Sequence, residues 1–172
     1  IYNYNDSILF LATNKGVFNF DDLENGITNK ILTDKIISSI FCEDLHHIWA
    51  GTRGEGLYGV SITSEKDEVI KNYRNNTFDL NSISSDMIFD IFQDFSGNIW
   101  ITTADGVSYF DPLKQNFSLV TNNVGGKEKL DDKNIWTIYE ENDSTVWVGT
   151  RKGLSKVTVS YTHLRAHETA MY

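Results

Sequence analysis

One short pattern occurs four times in the 172-residue chain, and this repetition constrains the fold more than any other feature. Each copy is an apolar run that ends in a threonine, with a glycine three or four residues later. The copies occupy residues 9–18, 48–58, 99–109 and 146–154. Their threonines are 39, 51 and 47 residues apart: Thr13, Thr52, Thr103 and Thr150. Periods of this length are typical of the blades of β-propellers.

A second matching stretch precedes each of the last three copies. It has strand length, is rich in β-branched and aromatic residues, and ends on an acidic residue, at 37–43, 88–94 and 135–141. Four residues then lead to the next apolar run in all three units, which predicts a tight hairpin. A third run follows each glycine, and a weaker fourth run follows three of these. Four antiparallel strands per unit predict a propeller blade.

The step from threonine to glycine predicts a turn. Glycine can adopt the positive φ that such turns need, and the threonine hydroxyl can bond the turn backbone. The repeated Trp49, Trp100 and Trp147 have two interpretations, an aromatic ligand platform or packing between neighbouring blades. Packing is favoured, because repetition at a fixed apolar position is what a core requires.

The predicted fold class is all-β: a partial β-propeller of four-stranded antiparallel blades, with about three complete blades and a partial one. The predicted units are a partial first blade at 1–35, a second blade at 36–74, a third at 75–122 and an incomplete fourth at 123–159. Each blade needs neighbours to cover its faces. We therefore expect the isolated chain to aggregate or to be only marginally folded.

Residues 88–107 read Ile-x-x-Ile-Phe-x-Asp-x-x-Gly-Asn-Ile-Trp-Ile-x-Thr-x-x-Gly-Val. This pattern closely resembles the two-component regulator propeller repeat. The units ending at Thr52 and Thr150 look like the same repeat, whereas the first unit has Phe10 in place of the tryptophan. The Trp-Asp and Gly-His motifs of WD-dipeptide propellers are absent. The chain has a single Gly-Gly pair, Gly125-Gly126, which is not enough to indicate kelch repeats.

The resemblance implies the ligand-sensing propeller of a hybrid two-component histidine kinase of Bacteroidetes type, located in the periplasm. It implies an oligosaccharide ligand, contacts with neighbouring propellers, and a homodimer as one candidate assembly of the parent protein. The kinase itself would lie outside this chain. Two alternatives stay open: a free-standing propeller that scaffolds protein partners, and a propeller enzyme acting on glycans.

Charge and hydropathy disfavour two classes of partner, nucleic acids and membranes. The formal net charge is −9, and the basic residues are scattered, which disfavours nucleic acid. No apolar run approaches the roughly 18 residues of a membrane helix, so this chain is not expected to contact the membrane. The single cysteine, Cys42, follows apolar residues and is interpreted as a small buried thiol.

No catalytic constellation, cofactor motif or metal site is predicted. The chain has no Gly-x-Ser-x-Gly and no phosphate-binding loop. Asp94 and Glu141 end strands at repeated positions and are interpreted as turn caps. The adjacent His46 and His47 lie in a hairpin turn, and a solvated turn is favoured over a two-histidine metal site, since no third ligand recurs nearby.

The candidate ligand-binding residues are Arg53, Glu55, Asp105 and Arg151. They follow the second strand of their units, and this loop shares a face of a propeller with the loop before the first strand. Two loops of the latter kind, 74–85 and 122–133, are long for a hairpin-rich fold. Arg53 and Arg151 occupy matching positions and could bond sugar hydroxyls or carboxylates.

Residues 160–172 are predicted not to be native sequence. The repeat stops at residue 159, and the remainder resembles the translated end of a sequencing-library adapter. His163 and His167 have the spacing of helical metal ligands but are discounted for this reason. A short native helix is the alternative, since 164–171 contains good helix formers.

Overall fold

Four antiparallel sheets contain all the strands of the computed structural model, which describes residues 1–3, 8–21, 27–62, 68–79, 81–112, 117–120, 130–142 and 144–158. The first sheet has the order β1 (Tyr2–Asn3), β2 (Ile8–Thr13), β3 (Gly16–Asp21) and β4 (Ile27–Ile31). The second has the order β5 (Ile37–Cys42), β6 (His47–Thr52), β7 (Leu57–Ile62) and β8 (Glu68–Tyr73).

The remaining strands form the third and fourth sheets. The third contains β9 (Ile88–Gln93), β10 (Ile99–Thr103), β11 (Gly106–Phe110) and β12 (Phe117–Val120). The fourth contains β13 (Ile135–Asn142), β14 (Thr145–Thr150) and β15 (Gly153–Thr158). In every sheet, strands that follow one another in the chain pair with one another. We refer to the four sheets as blades 1 to 4.

The first strands of successive blades lie side by side. Strand β5 contacts β9, and β9 contacts β13, so these strands form the inner side of an arc of blades. The predicted all-β propeller architecture is confirmed, with three four-stranded blades and one three-stranded blade. In the described part of the chain no helix has the length and apolarity needed to cross a membrane.

The turn between the second and third strands has the predicted chemistry in every blade. In blade 2 the Thr52 hydroxyl donates to the Gly56 carbonyl at 2.7 Å and accepts from the Glu55 N–H at 2.9 Å. Gly56 has a φ of 81°, and a Cβ there would lie 2.2 Å from the Tyr73 carbonyl oxygen. Equivalent hydroxyl bonds form at Thr13, Thr103 and Thr150.

The repeated aromatic residue packs between blades, as predicted. Phe10 lies in the apolar cluster between blades 1 and 2, Trp49 in that between blades 2 and 3, and Trp100 in that between blades 3 and 4. Trp100 is fully buried and stacks on Tyr109, with ring centroids 4.7 Å apart. Trp147 holds the equivalent position in blade 4 and is partly exposed.

In blades 2, 3 and 4, an acidic residue six positions upstream of the repeated tryptophan accepts a hydrogen bond from its indole. The Nε1–H of Trp100 donates to the buried Asp94 carboxylate at 2.7 Å. Asp94 also accepts from the backbone N–H groups of Ser96 and Asn98, so its predicted role as a turn cap is confirmed. The same indole–carboxylate bond links Trp49 to Glu43 at 2.9 Å and Trp147 to Glu141 at 3.0 Å. This bond was not predicted from the sequence.

The segment between two blades binds both of them through adjacent carbonyl groups. The Asp86 carbonyl accepts from Gly56 N–H of blade 2 at 2.9 Å, and the next carbonyl, of Met87, accepts from Ala104 N–H of blade 3 at 3.1 Å. The same arrangement occurs at the other two junctions, where the acceptors are the adjacent carbonyls of Lys35 and Ile36 and those of Lys133 and Asn134. These bonds place the start of each inner strand beside the turns of two blades.

Some predictions concern residues that the structure does not describe. The tail at 160–172, with His163 and His167, lies outside the described residues. Loop 122–133 is described only from residue 130 onward.

Candidate functional site

A β-bulge near the start of each inner strand creates the candidate site. In β9, Ile88 pairs with Thr103 while Asp90 pairs with Thr102, so Phe89 has no direct partner on β10. Strands β5 and β13 have the same irregularity, which leaves out Ser38 and Trp136 respectively. Bulges of this kind re-aim a side chain and are frequent beside functional sites.

The three bulged residues line one cavity of about 570 Å³ on the inner side of blades 2, 3 and 4. Trp136 exposes 70% of its surface and Phe89 40%, which is unusual for large aromatic residues in strands. The other lining residues are Arg53, Met87, Asn134, Ile135 and Arg151. The cavity therefore combines exposed aromatic rings with cationic and amide donors.

The backbone places the two arginines at matching positions. Each arginine follows the threonine of its turn, and its N–H donates to the segment before the inner strand, to Ile36 in blade 2 and to Asn134 in blade 4, both at 3.1 Å. Arg53 and Arg151, predicted separately from the repeat, are thus brought to one cavity. Blade 3 carries the small Ala104 at this position.

Glu55 and Asp105 do not line that cavity. Glu55 pairs with Lys35 at 2.5 Å, and Asp105 pairs with Lys133 at 3.5 Å, so each carboxylate neutralises a lysine of an inter-blade segment. The hydrogen bond to Glu55 is the largest influence raising the pKa of Lys35. A role of these two acids in ligand binding stays a prediction.

Loop 74–85 is held against the turn that carries Arg53. Asp86 accepts from the Arg74 guanidinium at 2.8 and 3.1 Å and from the Asn75 N–H at 2.7 Å. Arg74 also donates to the Gly54 carbonyl at 3.2 Å. Within the loop, Ile83 is buried, whereas Phe78 is 97% exposed. The long loop therefore stabilises the turn at the cavity rim, and it also contains the exposed Phe78.

The described lining of the cavity consists of aromatic, aliphatic, hydroxyl, amide and guanidinium side chains. Its residues include no His, Cys, Asp or Glu. The hydroxyl of Ser38 lies 2.7 Å from the Ile88 carbonyl and 3.1 Å from that of Gly51, and donates to them. The Ser38 hydroxyl is thus directed at backbone carbonyls of β6 and β9.

The histidine pair lies in the β5–β6 turn. The Asp44 carboxylate accepts from the backbone N–H groups of His46 and His47 at 2.6 and 2.8 Å and lies 2.8 Å from the His47 ring. Desolvation raises the pKa of Asp44, but these hydrogen bonds together outweigh it, and the pKa is lowered. Among the described residues, no three His, Cys, Asp or Glu side chains cluster closely enough to hold a metal.

Cys42 is a buried thiol, as predicted. Desolvation, with a smaller contribution from the Asp44 charge, raises its pKa to about 12. A thiol with so high a pKa is unreactive at neutral pH.

Four antiparallel blades with a cavity on their inner side define a β-propeller. The family model for the two component regulator propeller matches this chain twice, at residues 82–105 and 129–152. These segments include the inner strands and tryptophans of blades 3 and 4. Residues 82–105 and 129–152 therefore match the two component regulator propeller repeat, which confirms the resemblance found in the sequence.

Solved structures share this fold. The extracellular domain of a protein described as a hybrid two component system from B. thetaiotaomicron matches 90% of this chain, with a TM-score of 0.69 and 21% identity. An extracellular domain from the same bacterium, described as a one component system, matches 95%, with a TM-score of 0.64 and 17% identity. The WD40 beta propeller domain of Doa1 matches 93%, with a TM-score of 0.69 and 12% identity.

This chain spans only part of those structures, 20%, 24% and 49% of their respective lengths. Identities at this level show a common fold. A comparison with curated proteins found no match.

Proposed function

We propose that this chain is part of the periplasmic ligand-sensing propeller of a hybrid two-component histidine kinase, and that the ligand is an oligosaccharide. The observation that carries the proposal is the cavity in which the bulges of β9 and β13 bring Phe89 and Trp136 to the same lining as Arg53 and Arg151. The match to the two component regulator propeller supports the sensor role. The B. thetaiotaomicron structures, being extracellular domains, support the location.

The cavity chemistry supports a sugar ligand. A sugar ring has apolar C–H faces and a rim of hydroxyl groups, so it suits a pocket that combines an aromatic surface with a few placed polar groups. Trp136 and Phe89 offer the aromatic surface. The guanidinium groups of Arg53 and Arg151 and the amide of Asn134 offer donors.

The position of the cavity also suits signalling. Met87 and Asn134 line it and belong to the inter-blade segments whose carbonyls bond two blades at once. A ligand that contacts these residues would favour one relative position of neighbouring blades over another, provided its affinity for the two differs. The absence of an acid–base pair from the described lining favours binding over catalysis.

Substitution of the exposed tryptophan tests the proposed site. In the full-length protein, we expect Trp136→Ala to weaken oligosaccharide binding by tenfold or more in calorimetry against a panel of neutral and acidic oligosaccharides. Phe78→Ala is the matched control, since it removes an even more exposed aromatic ring outside the cavity. Binding that is insensitive to Trp136→Ala would place the ligand elsewhere, and no binding to any panel member would contradict the oligosaccharide proposal.

The sensor role has a separate test at the level of the gene. We expect the reading frame downstream of the propeller to encode a membrane helix followed by histidine-kinase motifs. A stop codon directly after the propeller would instead support the scaffold of protein partners.

A further inference from the structure

We infer that the cavity selects an anionic oligosaccharide, one that carries carboxylate or sulfate groups, over a neutral oligosaccharide. This inference rests on the proposed function and specifies the ligand of the same site. The supporting observation concerns the described basic side chains around the cavity: most of them pair with a carboxylate, but the two arginines that line the cavity do not.

Most basic side chains around the rim are already neutralised. Each has a carboxylate partner within 4 Å, in the pairs Lys35–Glu55, Arg74–Asp86, Lys133–Asp105 and Lys152–Asp132. These pairs come from the inter-blade segments and the turns that surround the cavity. A ligand near them meets little net charge.

The two arginines of the cavity differ from these neighbours. Within the described residues, neither Arg53 nor Arg151 forms an ion pair, and no carboxylate lines the cavity between them. Arg151 also interacts electrostatically with Asp132, whose pKa is lowered chiefly by the Asn134 N–H, with smaller contributions from Lys152 and Arg151. Asp132 accepts hydrogen bonds from Asn134 at 3.0 and 3.4 Å and pairs with Lys152 at 3.9 Å, whereas among the described residues it forms no ion pair with Arg151.

The contrast with the whole chain strengthens the inference. The chain carries a net charge of −9, so its general field repels anions. Within the described residues, the guanidinium groups of Arg53 and Arg151 have no ion-pair partner, so close to the cavity they attract an anion that the chain as a whole repels. Guanidinium forms paired, charge-assisted hydrogen bonds with planar or tetrahedral oxyanions, which a neutral hydroxyl group cannot match.

The geometry of the rim places the charges on two sides. Arg53 comes from blade 2 and Arg151 from blade 4, and the equivalent position of blade 3 holds the small, uncharged Ala104. Phe89 and Trp136 line the same cavity and supply its aromatic surface. A sugar ring stacked on these aromatic residues would direct its substituents towards one or both arginines.

The test compares an acid with its neutral ester. Calorimetry of the full-length protein uses uronic-acid oligosaccharides, their methyl esters, sulfated oligosaccharides and the unsulfated counterparts, each at low and high salt. We expect acidic members to bind at least tenfold more tightly than their neutral counterparts. We also expect this preference to shrink as salt rises. The uronate and sulfate arms show which anion is bound.

Substitutions locate the selectivity. Arg53→Gln and Arg151→Gln should each reduce the preference for the acidic member about tenfold. Lys152→Gln removes the same charge from the neighbouring residue, which does not line the cavity, and should leave most of the preference intact. Equal effects of Arg151→Gln and Lys152→Gln would overturn direct contact.

The outcomes separate the two proposals. Binding of neutral oligosaccharides as tightly as acidic ones overturns the anionic inference and leaves the proposed function standing. Failure of every oligosaccharide to bind overturns both.

Discussion

At the scale of single residues, the indole–carboxylate bond shows how one repeated contact serves different environments. Asp94 is buried and accepts from one indole and two backbone N–H groups, whereas the bond between Trp147 and Glu141 is exposed. A buried donor that loses its acceptor costs far more free energy than one that water can reach. The equivalent bonds should therefore contribute unequally to stability.

We expect Asp94→Ala to lower the free energy of unfolding by about 2–3 kcal/mol, because Trp100 Nε1–H and the turn N–H groups lose their acceptor in the interior. Glu141→Ala, the matched change in blade 4, should cost about 1 kcal/mol or less. Denaturant unfolding followed by tryptophan fluorescence measures both. Equal costs would contradict the importance of burial.

Cys42 provides a prediction with a pH dependence. Its raised pKa favours the neutral thiol in the folded state, which stabilises the fold below the ordinary thiol pKa of about 8.5. This contribution is lost progressively as the pH rises from about 8.5 towards 12. We expect a thiol reagent at pH 8 to label native protein far more slowly than urea-unfolded protein. Fast labelling of the native state would contradict burial of the thiol.

At the scale of elements, turns and bulges determine where side chains converge. The threonine–glycine turn ends the second strand and places the following residue, such as Arg53, at the rim. The bulge in the first strand then aims Phe89 and Trp136 into the cavity. The turn depends on glycine at positive φ, so it can be tested with glycine substitutions.

Gly56→Ala and Gly54→Ala form a matched pair within one turn. Both positions have a positive φ, of 81° and 107°. A Cβ at Gly54 meets nothing within 4 Å, whereas one at Gly56 would lie 2.2 Å from the Tyr73 carbonyl oxygen. We expect Gly54→Ala to cost about 1–2 kcal/mol from backbone strain and Gly56→Ala about 3 kcal/mol or more. The shift in denaturation midpoint measures both, and equal shifts would contradict the clash.

At the scale of the whole molecule, blade 4 exposes apolar side chains at positions whose counterparts in blade 3 are buried. Val107 is fully buried in blade 3, and the residue at the same place in blade 4, Leu154, is 60% exposed. Tyr139, the cross-strand partner of Trp147, is 67% exposed. These residues form an apolar patch of the kind that drives association.

We expect the isolated 172-residue chain to aggregate or to be only marginally folded. Tyr139→Lys combined with Leu154→Lys should reduce aggregation, whereas Phe78→Ser, at an exposed loop position outside the patch, should not. Light scattering during a thermal scan measures both. A sharp and reversible transition of the unmodified monomeric chain would contradict this prediction.

The sequence alone determined the period, the strands, the threonine–glycine turns and the packing of Trp49 and Trp100, because these features depend on short-range patterns repeated in each blade. It also showed that Arg53 and Arg151 hold equivalent positions. The spacing of three between isoleucines, where strand alternation requires two, was present as a signal of the bulges. Its meaning for Phe89 and Trp136 was missed.

Only the tertiary structure decided which of the predicted residues meet. Arg53 and Arg151 lie 98 positions apart in the sequence and share a cavity, whereas Glu55, two residues from Arg53, turns to Lys35 instead. The physical reason is that the repeat specifies each blade separately. The convergence of side chains from blades 2, 3 and 4 depends on the curvature of the arc and on bonds between blades, which no single repeat contains.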